Sequence, residues 1–94
     1  MINIAKKRYA EFIKEYGKEP AYAKCDVSFD DGSMMYVTIK LSCDYNEDED
    51  DYVFFYCNGL DDFLSLYEED SGQDFHISGI VSFDYEVWFL TFFI

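Results

Sequence analysis

Two neighbouring segments of this chain alternate strictly between apolar and polar side chains. An alternation with a period of two is typical of a strand that buries one face. The short connection between the segments predicts that they pair as an antiparallel hairpin. The apolar positions are Ala21, Ala23, Cys25, Val27 and Phe29 in the first segment and Met35, Val37, Ile39, Leu41 and Cys43 in the second.

The loop of this hairpin is constrained because both apolar rows must lie on the same face of the sheet. A two-residue turn would place the rows on opposite faces. A three-residue loop of residues 30–32 restores the match, with Gly32 in the left-handed conformation that such loops require. This register predicts that Cys25 lies opposite Val37 and far from Cys43, so we expect no disulfide between the two cysteines.

The rest of the chain predicts two helices and three further strands. Apolar residues at steps of three and four predict an amphipathic helix over residues 3–16, capped by Asn3 and ended by Gly17. A second helix is predicted to follow Asn58 as its cap and to end at Gly72. The further strands are predicted over residues 52–57, 75–84 and 87–93, the first of them in the interior of the sheet.

The element order αβββαββ predicts an α+β fold. With 94 residues there is room for one core, so we expect a single domain over residues 1–94. Sequential strands joined by short connections favour a mostly antiparallel sheet, and two helices are expected to pack on one of its faces.

The second face of the sheet is then not covered by the helices and must be buried in another way. Several aromatic residues have the opposite parity to the core rows of their strands, and a contiguous aromatic patch is typical of an interface. One interpretation is a homodimer that buries this face, and the other is a sheet that curls and buries these side chains internally. The candidate dimer face consists of Tyr36, Phe54, Tyr56, Trp88 and Phe92.

Charge is distributed very unevenly along the chain. Residues 1–24 carry six positive and three negative side chains, whereas residues 25–94 carry one positive and seventeen negative ones. The net charge of −13 opposes compactness through self-repulsion. The chain is nevertheless half apolar, with ten Phe and nine Tyr, so it is expected to fold rather than to be disordered. We therefore interpret the acidic surface as the functional part of the molecule.

The acidic residues form two clusters, which we take as the candidate partner-binding site. A charge run in a loop is usually a solvated segment. Acids on the last turn of a helix, where the second cluster is predicted, are unfavourable because the macrodipole is negative there. Because acidic residues recur at energetically unfavourable positions, we interpret the surface as one selected for its negative electrostatic potential. The clusters are Asp44, Glu47, Asp48, Glu49, Asp50 and Asp51, and Glu68, Glu69 and Asp70.

The magnitude of the charge suggests what this surface imitates. Duplex DNA carries one charge per about 1.7 Å of axis, or roughly 18 over the 30 Å expected for a domain of this size. With its net charge of −13 and runs such as DYNEDEDD at residues 44–51, the chain resembles the small acidic phage and mobile-element proteins that mimic DNA, including anti-CRISPR and anti-restriction proteins. This resemblance implies a non-enzymatic inhibitor that occupies the basic groove of a host defence nuclease.

Two other functions fit the same composition. An immunity protein or antitoxin that neutralises a basic nuclease toxin would use the same electrostatics. An acidic assembly subunit would dimerise through the aromatic face. Direct binding to nucleic acid is disfavoured because most of the surface repels phosphate, and no apolar stretch approaches the length of a membrane span. The first residues lack the apolar core of a signal peptide, so the sequence predicts a cytoplasmic location, in the host cell if a phage encodes the chain.

Catalytic and metal-binding motifs are weak in this sequence. Asp44 begins a frame like that of a calcium-binding EF-hand, but Glu49 stands where the turn needs Gly and Phe55 where a bidentate Glu is needed. His76 is predicted on the polar side of a strand with no evident nucleophile beside it. The three cysteines have no C-x-x-C spacing and are expected to be reduced core thiols. We predict no enzyme activity, no metal and no cofactor.

Overall fold

A computed structural model describes residues 2–68, 72–79 and 82–86 of the protein. The described elements form an α+β fold with two helices and a curled, mostly antiparallel sheet of five strands, which confirms the predicted fold class. In chain order they are α1 (Ile2–Tyr16), β1 (Tyr22–Phe29), β2 (Met34–Lys40), a short 3-10 helix (Glu47–Glu49), β3 (Phe55–Tyr56), α2 (Leu60–Ser65), β4 (Phe75–Ile77) and β5 (Ser82–Asp84).

The hairpin of β1 and β2 has the predicted loop and register. Cys25 lies opposite Val37, and the loop closes where the Phe29 N–H donates to the Ser33 carbonyl oxygen at 2.8 Å. Gly32 has a φ of 89°, the left-handed conformation that the three-residue loop requires. Matching of the two apolar rows therefore sets the pairing of the two longest strands.

The predicted fourth strand is instead two short strands that pair with the same edge of β1. Val27 pairs with Ile77 in β4, and Lys24 pairs with Ser82 in β5. The Asp26 carbonyl oxygen accepts N–H groups from both Ser78 and Gly79, which ends the regular ladder of β4.

The prediction for β3 is wrong in length. This strand has two residues, lies at the end of the described sheet order and runs parallel to β2. Residues 52–57 are apolar on both faces because their side chains contribute to two different hydrophobic clusters. Cys57 and Phe55 belong to the main core, while Val53 and Tyr56 pack with Tyr22 in a second cluster.

Both helices differ from their predicted limits. Asn3 lies inside α1 rather than capping it, whereas Gly17 ends the helix as predicted, with a φ of 71° and an N–H that donates to the Ile13 carbonyl oxygen at 2.8 Å. Helix α2 follows Gly59, not Asn58, and ends at Ser65, well before Gly72. Its six residues carry two adjacent core side chains, so packing and not length holds it in place.

The main core lies between the helices and one face of the sheet. It unites the central residues of both apolar rows of the hairpin with side chains from α1, α2 and β4, so the two helices cover the same face as predicted. Its buried members are Ala5, Ala23, Cys25, Val27, Val37, Ile39, Leu41, Cys57, Phe63, Leu64, Leu66, Phe75 and Ile77. The predicted strand over residues 87–93 lies outside the described residues, as do the site residues Glu69, Asp70, Trp88 and Phe92.

The second face of the sheet is covered at one end and open at the other. At the covered end, Tyr22 and Val53 are 5% and 8% exposed. Lys24 of the same face is also buried, and its Nζ atom lies 3.1 Å from the Thr38 hydroxyl oxygen. At the open end, Tyr36 is 57% exposed. The sequence left two alternatives for this face, burial of its side chains by a curled sheet and an exposed aromatic surface. Each of them occurs at one end of the face.

Candidate functional site

The acidic segment of residues 44–53 folds back on itself through local hydrogen bonds. Asn46 starts the 3-10 helix, with its side-chain oxygen accepting the Asp48 N–H at 2.9 Å. At the other end, the Glu49 carbonyl oxygen accepts N–H groups from Tyr52 at 2.8 Å and Val53 at 3.1 Å. These bonds fix the backbone of the segment, which we call the acidic loop.

Glu49 points inward and ties the acidic loop to the sheet. Its carboxylate forms an ion pair with Lys40 of β2, at 2.8 Å between Oε2 and Nζ. The two side chains are only 11% (Lys40) and 17% (Glu49) exposed, so solvent screens this pair less than a surface ion pair. The Tyr22 hydroxyl donates to the other carboxylate oxygen. Glu49 therefore holds the loop in place and is not available as a phosphate surrogate.

Lys40 is the centre of this anchor. Its Nζ atom donates a second hydrogen bond to the Asp44 carbonyl oxygen at 2.7 Å, so one ammonium group binds the start of the acidic loop as well as its middle. The rings of Tyr22 and Tyr56 lie 6.0 and 5.9 Å from the same atom, within the range of cation–π attraction. The side chains of Tyr22, Lys40 and Glu49 form the unit that we call the loop anchor.

The environment of Glu49 sets its protonation behaviour. Burial alone would raise the pKa of the carboxyl, but the hydrogen bonds from Lys40 and Tyr22 outweigh burial and hold the pKa below its ordinary value of 4.5. The same contact raises the pKa of the Tyr22 hydroxyl, together with the larger effect of burial. Glu49 is therefore ionised in the folded protein near neutral pH.

This lowered pKa predicts how stability depends on pH. A carboxyl whose pKa is lower in the folded state contributes stability above its unfolded value and loses it as the pH falls through the folded value. The free energy of unfolding of the wild type should therefore exceed that of Glu49→Gln by a constant amount between pH 8 and about 5.5. The difference should shrink below pH 4.5, the ordinary pKa. Urea denaturation of both proteins over this range measures it, and a difference that grows in acid would contradict the assignment.

The remaining five carboxylates of the loop face solvent. Each of these residues is exposed, and among the described residues none of them forms an ion pair, since the described ion pair joins Lys40 and Glu49. The loop thus presents a group of unneutralised negative charges on a fixed backbone. We call this group the outer carboxylates: Asp44, Glu47, Asp48, Asp50 and Asp51.

The second predicted cluster is placed differently from the prediction. Because α2 ends at Ser65, Glu68 does not lie on the last turn of that helix. Glu68 is exposed, with its N–H directed to the Ser65 carbonyl oxygen at 3.3 Å. The argument from an unfavourable helix dipole therefore fails at this position, and the outer carboxylates remain the stronger half of the candidate site.

The described members of the candidate dimer face fall into two groups. Tyr36 and Phe54 are 57% and 36% exposed and line the same groove, while Tyr56 packs in the second cluster. The Phe54 ring also makes edge-to-face contacts with Phe29 and Phe75, at centroid distances of 6.0 and 5.0 Å. Neighbouring aromatic residues of this segment therefore lie in different surroundings, which parity alone does not reveal.

The three cysteines fall into two classes. Cys25 and Cys57 are buried free thiols, and burial raises the pKa of each to about 12. Cys43 is exposed, contrary to the prediction of a core thiol, because β2 ends at Lys40 and the alternation does not continue. Its Sγ atom lies 3.4 Å from the Cys57 carbonyl oxygen.

These differences predict selective alkylation. Iodoacetamide at pH 8 should modify Cys43 in the folded protein, while Cys25 and Cys57 should react more than about a hundred times more slowly until the chain is unfolded in urea. Mass spectrometry of peptides from a time course gives the three rates. Equal rates for all three thiols in the folded protein would contradict the placement of the core cysteines.

The described residues contain no group of three or more His, Cys, Asp or Glu side chains arranged to hold a metal ion. No helix among them has both the length and the apolar character needed to span a bilayer.

Sequence reasoning missed the loop anchor, although one signal pointed to it. Lys40 is the one cationic side chain among residues 25–94, and it stands at a polar position of β2 just before the acidic run. A single lysine among seventeen acids is expected to form an ion pair with one of them. Tyr22 carried no comparable signal, because its contact to Glu49 spans 27 residues.

Comparison of the chain with protein-family models, with curated proteins and with solved structures gave no significant match.

Proposed function

We propose that the protein is a non-enzymatic inhibitor that binds the basic nucleic-acid-binding groove of a defence nuclease, in the cytoplasm of a host cell. The observation that supports this proposal best is that the carboxylates of the acidic loop have two different roles. One carboxylate, that of Glu49, is used to hold the loop, and five others are exposed and form no ion pair with any residue that the structure describes. A loop that served only solubility would not need such an anchor.

The fixed backbone of the loop favours tight binding. A flexible acidic segment loses conformational freedom when it binds, and that loss weakens the complex. The loop anchor and the local hydrogen bonds impose most of this order before binding. The outer carboxylates can therefore meet lysine and arginine side chains of a partner at a lower entropic cost than a disordered acidic tail.

The overall charge supports a role as a nucleic-acid mimic. The longest dimension of the protein is 36 Å, and duplex DNA of that length carries roughly 21 charges. The net charge of −13 is more than half of this number. Such a field steers a basic partner towards the protein and speeds association at low salt.

The mechanism that follows is competitive occupancy. Carboxylates of the loop replace phosphates against the partner's cationic side chains, and nucleic acid is excluded from the same groove. No bond is made or broken in this mechanism. Binding should therefore weaken with increasing salt, as phosphate contacts do.

Affinity capture with competition by DNA tests the proposal. The protein is immobilised and exposed to a lysate of candidate host cells at 50 mM NaCl, and the column is then washed with a 20-base-pair duplex. We expect retained proteins to be nucleic-acid-binding proteins that the duplex displaces. Retained proteins that resist the duplex but elute with free acidic loop peptide would contradict the mimicry.

The identity of the captured protein separates the proposal from its closest alternative. A nuclease of a defence system supports an anti-CRISPR or anti-restriction type of inhibitor. A secreted nuclease toxin encoded next to this chain would instead assign it as an immunity protein, with the same acidic loop in contact.

A further inference from the structure

Part of the outer edge of β2 has no backbone partner within the part of the chain that the structure describes. The backbone N–H and carbonyl groups of the odd-numbered residues of β2 point towards β1. The hydrogen bond from the Leu41 N–H to the Ala21 carbonyl oxygen, directly after β2, follows the same pattern. Even-numbered residues direct theirs to the other edge, where the carbonyl oxygens of Thr38 and Lys40 accept N–H groups from the β3 segment. No described residue pairs with the backbone of Met34 or Tyr36 on that edge.

A groove runs beside this open edge. It has a volume of about 540 Å³ and separates β2 from the segment of residues 51–54. Four of its lining residues are exposed apolar or aromatic side chains: Met35 at 52%, Tyr36 at 57%, Tyr52 at 47% and Phe54 at 36%. Among the described residues that line it, Asp51 is the one that carries a charge.

Exposed sheet edges are normally protected. Natural proteins place lysine, proline or a bulge on such an edge to prevent pairing with other chains. The open part of β2 has none of these, because its sequence there is Met34-Met35-Tyr36-Val37. An unprotected edge beside an apolar groove is the geometry by which extended peptides are bound as an additional strand.

We propose that this groove binds an extended basic segment of a partner protein, which pairs with Met34 and Tyr36 and places a lysine or arginine against Asp51. Each of the two residues offers one N–H and one carbonyl oxygen to the added strand. Alternate apolar side chains of that strand contact Tyr36 and Tyr52. The proposal goes beyond the proposed function, since its main contacts are the backbone of Met34 and Tyr36 and the groove beside them, which shares Asp51 with the outer carboxylates, and since it does not require the partner to bind nucleic acid.

Charge identifies a basic segment rather than a second copy of this chain as the occupant. A homodimer formed through this edge would bring two molecules of net charge −13 together, with Asp51 of each beside the interface. Like charges in such positions oppose association. A segment rich in lysine and arginine has the opposite sign and is attracted to the same groove.

Binding of a designed peptide tests this inference. The probe is a fluorescent nine-residue peptide that alternates lysine and valine, and its matched control has proline in place of valine, which keeps the charge but cannot form a strand. We expect the first peptide to bind at least tenfold more tightly at 0.15 M NaCl. In the complex, amide exchange of Met34 and Tyr36 should slow at least tenfold, whereas the Val37 amide, which already faces β1, should change little.

Two variants locate the contact. Tyr36→Pro removes an N–H that faces the open edge and should weaken the peptide at least tenfold, while Tyr36→Ala, which keeps the N–H, should weaken it less. A variant with Asp44, Glu47, Asp48 and Asp50 changed to their amides should retain the preference for the valine peptide, so failure of this inference is distinct from failure of the proposed function.

Three results would overturn the inference. The first is equal affinity for the valine and proline peptides, which would reduce the contact to charge alone. The second is unchanged amide exchange at Met34 and Tyr36 in the wild-type complex, a measurement that holds even if Tyr36→Pro fails to fold. The third is a wild-type dimer in analytical ultracentrifugation that Tyr36→Pro converts to a monomer, which would assign the edge to a second copy.

Discussion

Lys40→Met should lower the free energy of unfolding by about 3 kcal/mol, because it leaves a buried carboxylate without its cation. The Glu49 side chain is 17% exposed and pairs with Lys40 at 2.8 Å. The Asp44 carbonyl oxygen would lose its donor as well. Methionine keeps the length and apolar stem of the side chain, so the loss reports the charge and its hydrogen bonds. Urea denaturation at pH 7 measures the change.

Lys14→Met is the matched control for this prediction. Lys14 is exposed on α1, so the substitution changes the net charge by the same amount without breaking the loop anchor. It should cost less than about 0.5 kcal/mol. The loss in Lys40→Met should also persist at 1 M NaCl, since a buried pair is screened less than a surface pair. Equal losses in the two variants would show that the Lys40 contact contributes nothing beyond overall charge.

Neutralising the outer carboxylates should abolish most of the affinity for a captured partner. The variant carries Asp44→Asn, Glu47→Gln, Asp48→Asn, Asp50→Asn and Asp51→Asn. Screened contacts between single charges contribute up to about 1 kcal/mol each, so the combined loss should be about a hundredfold or more in Kd. Fluorescence titration against the partner at 0.1 M NaCl measures this loss.

The control variant removes five carboxylates from elsewhere on the surface. The exposed residues for this control are Glu11, Glu15, Asp30, Asp61 and Asp74, each changed to its amide. Both variants have a net charge of −8, because five negative charges are removed from −13. The control should lose less than about tenfold, through weaker long-range steering only. Equal losses in both variants would show that the partner reads net charge and not the loop.

Local patterns in the sequence were sufficient for the elements with long, regular periodicity. The β1–β2 hairpin and its register follow from two apolar rows that have to share a face, and α1 follows from its spacing and Gly17. Short elements were less predictable. Residues 52–57 look like one strand, yet the structure divides them between two hydrophobic clusters, with Val53 and Tyr56 in one and Cys57 in the other.

The acidic character of residues 44–51 was likewise evident from the sequence, but the roles within the run were not. Glu49 is chemically equivalent to Glu47 two residues earlier, and no local pattern distinguishes them. The structure distinguishes them by their partners, since the Glu49 carboxylate contacts Lys40 and Tyr22 while Glu47 faces solvent.

The sequence by itself determined the sign and position of the surface charge, the pairing of the hairpin and the α+β class, because these depend on composition and on short-range periodicity. Only the tertiary structure decided which acid holds the loop, which acids are displayed and which part of the outer edge of β2 has no partner among the described residues. Those outcomes depend on contacts between residues 9 and 27 positions apart and on how the sheet curls, and neither is encoded in any local spacing.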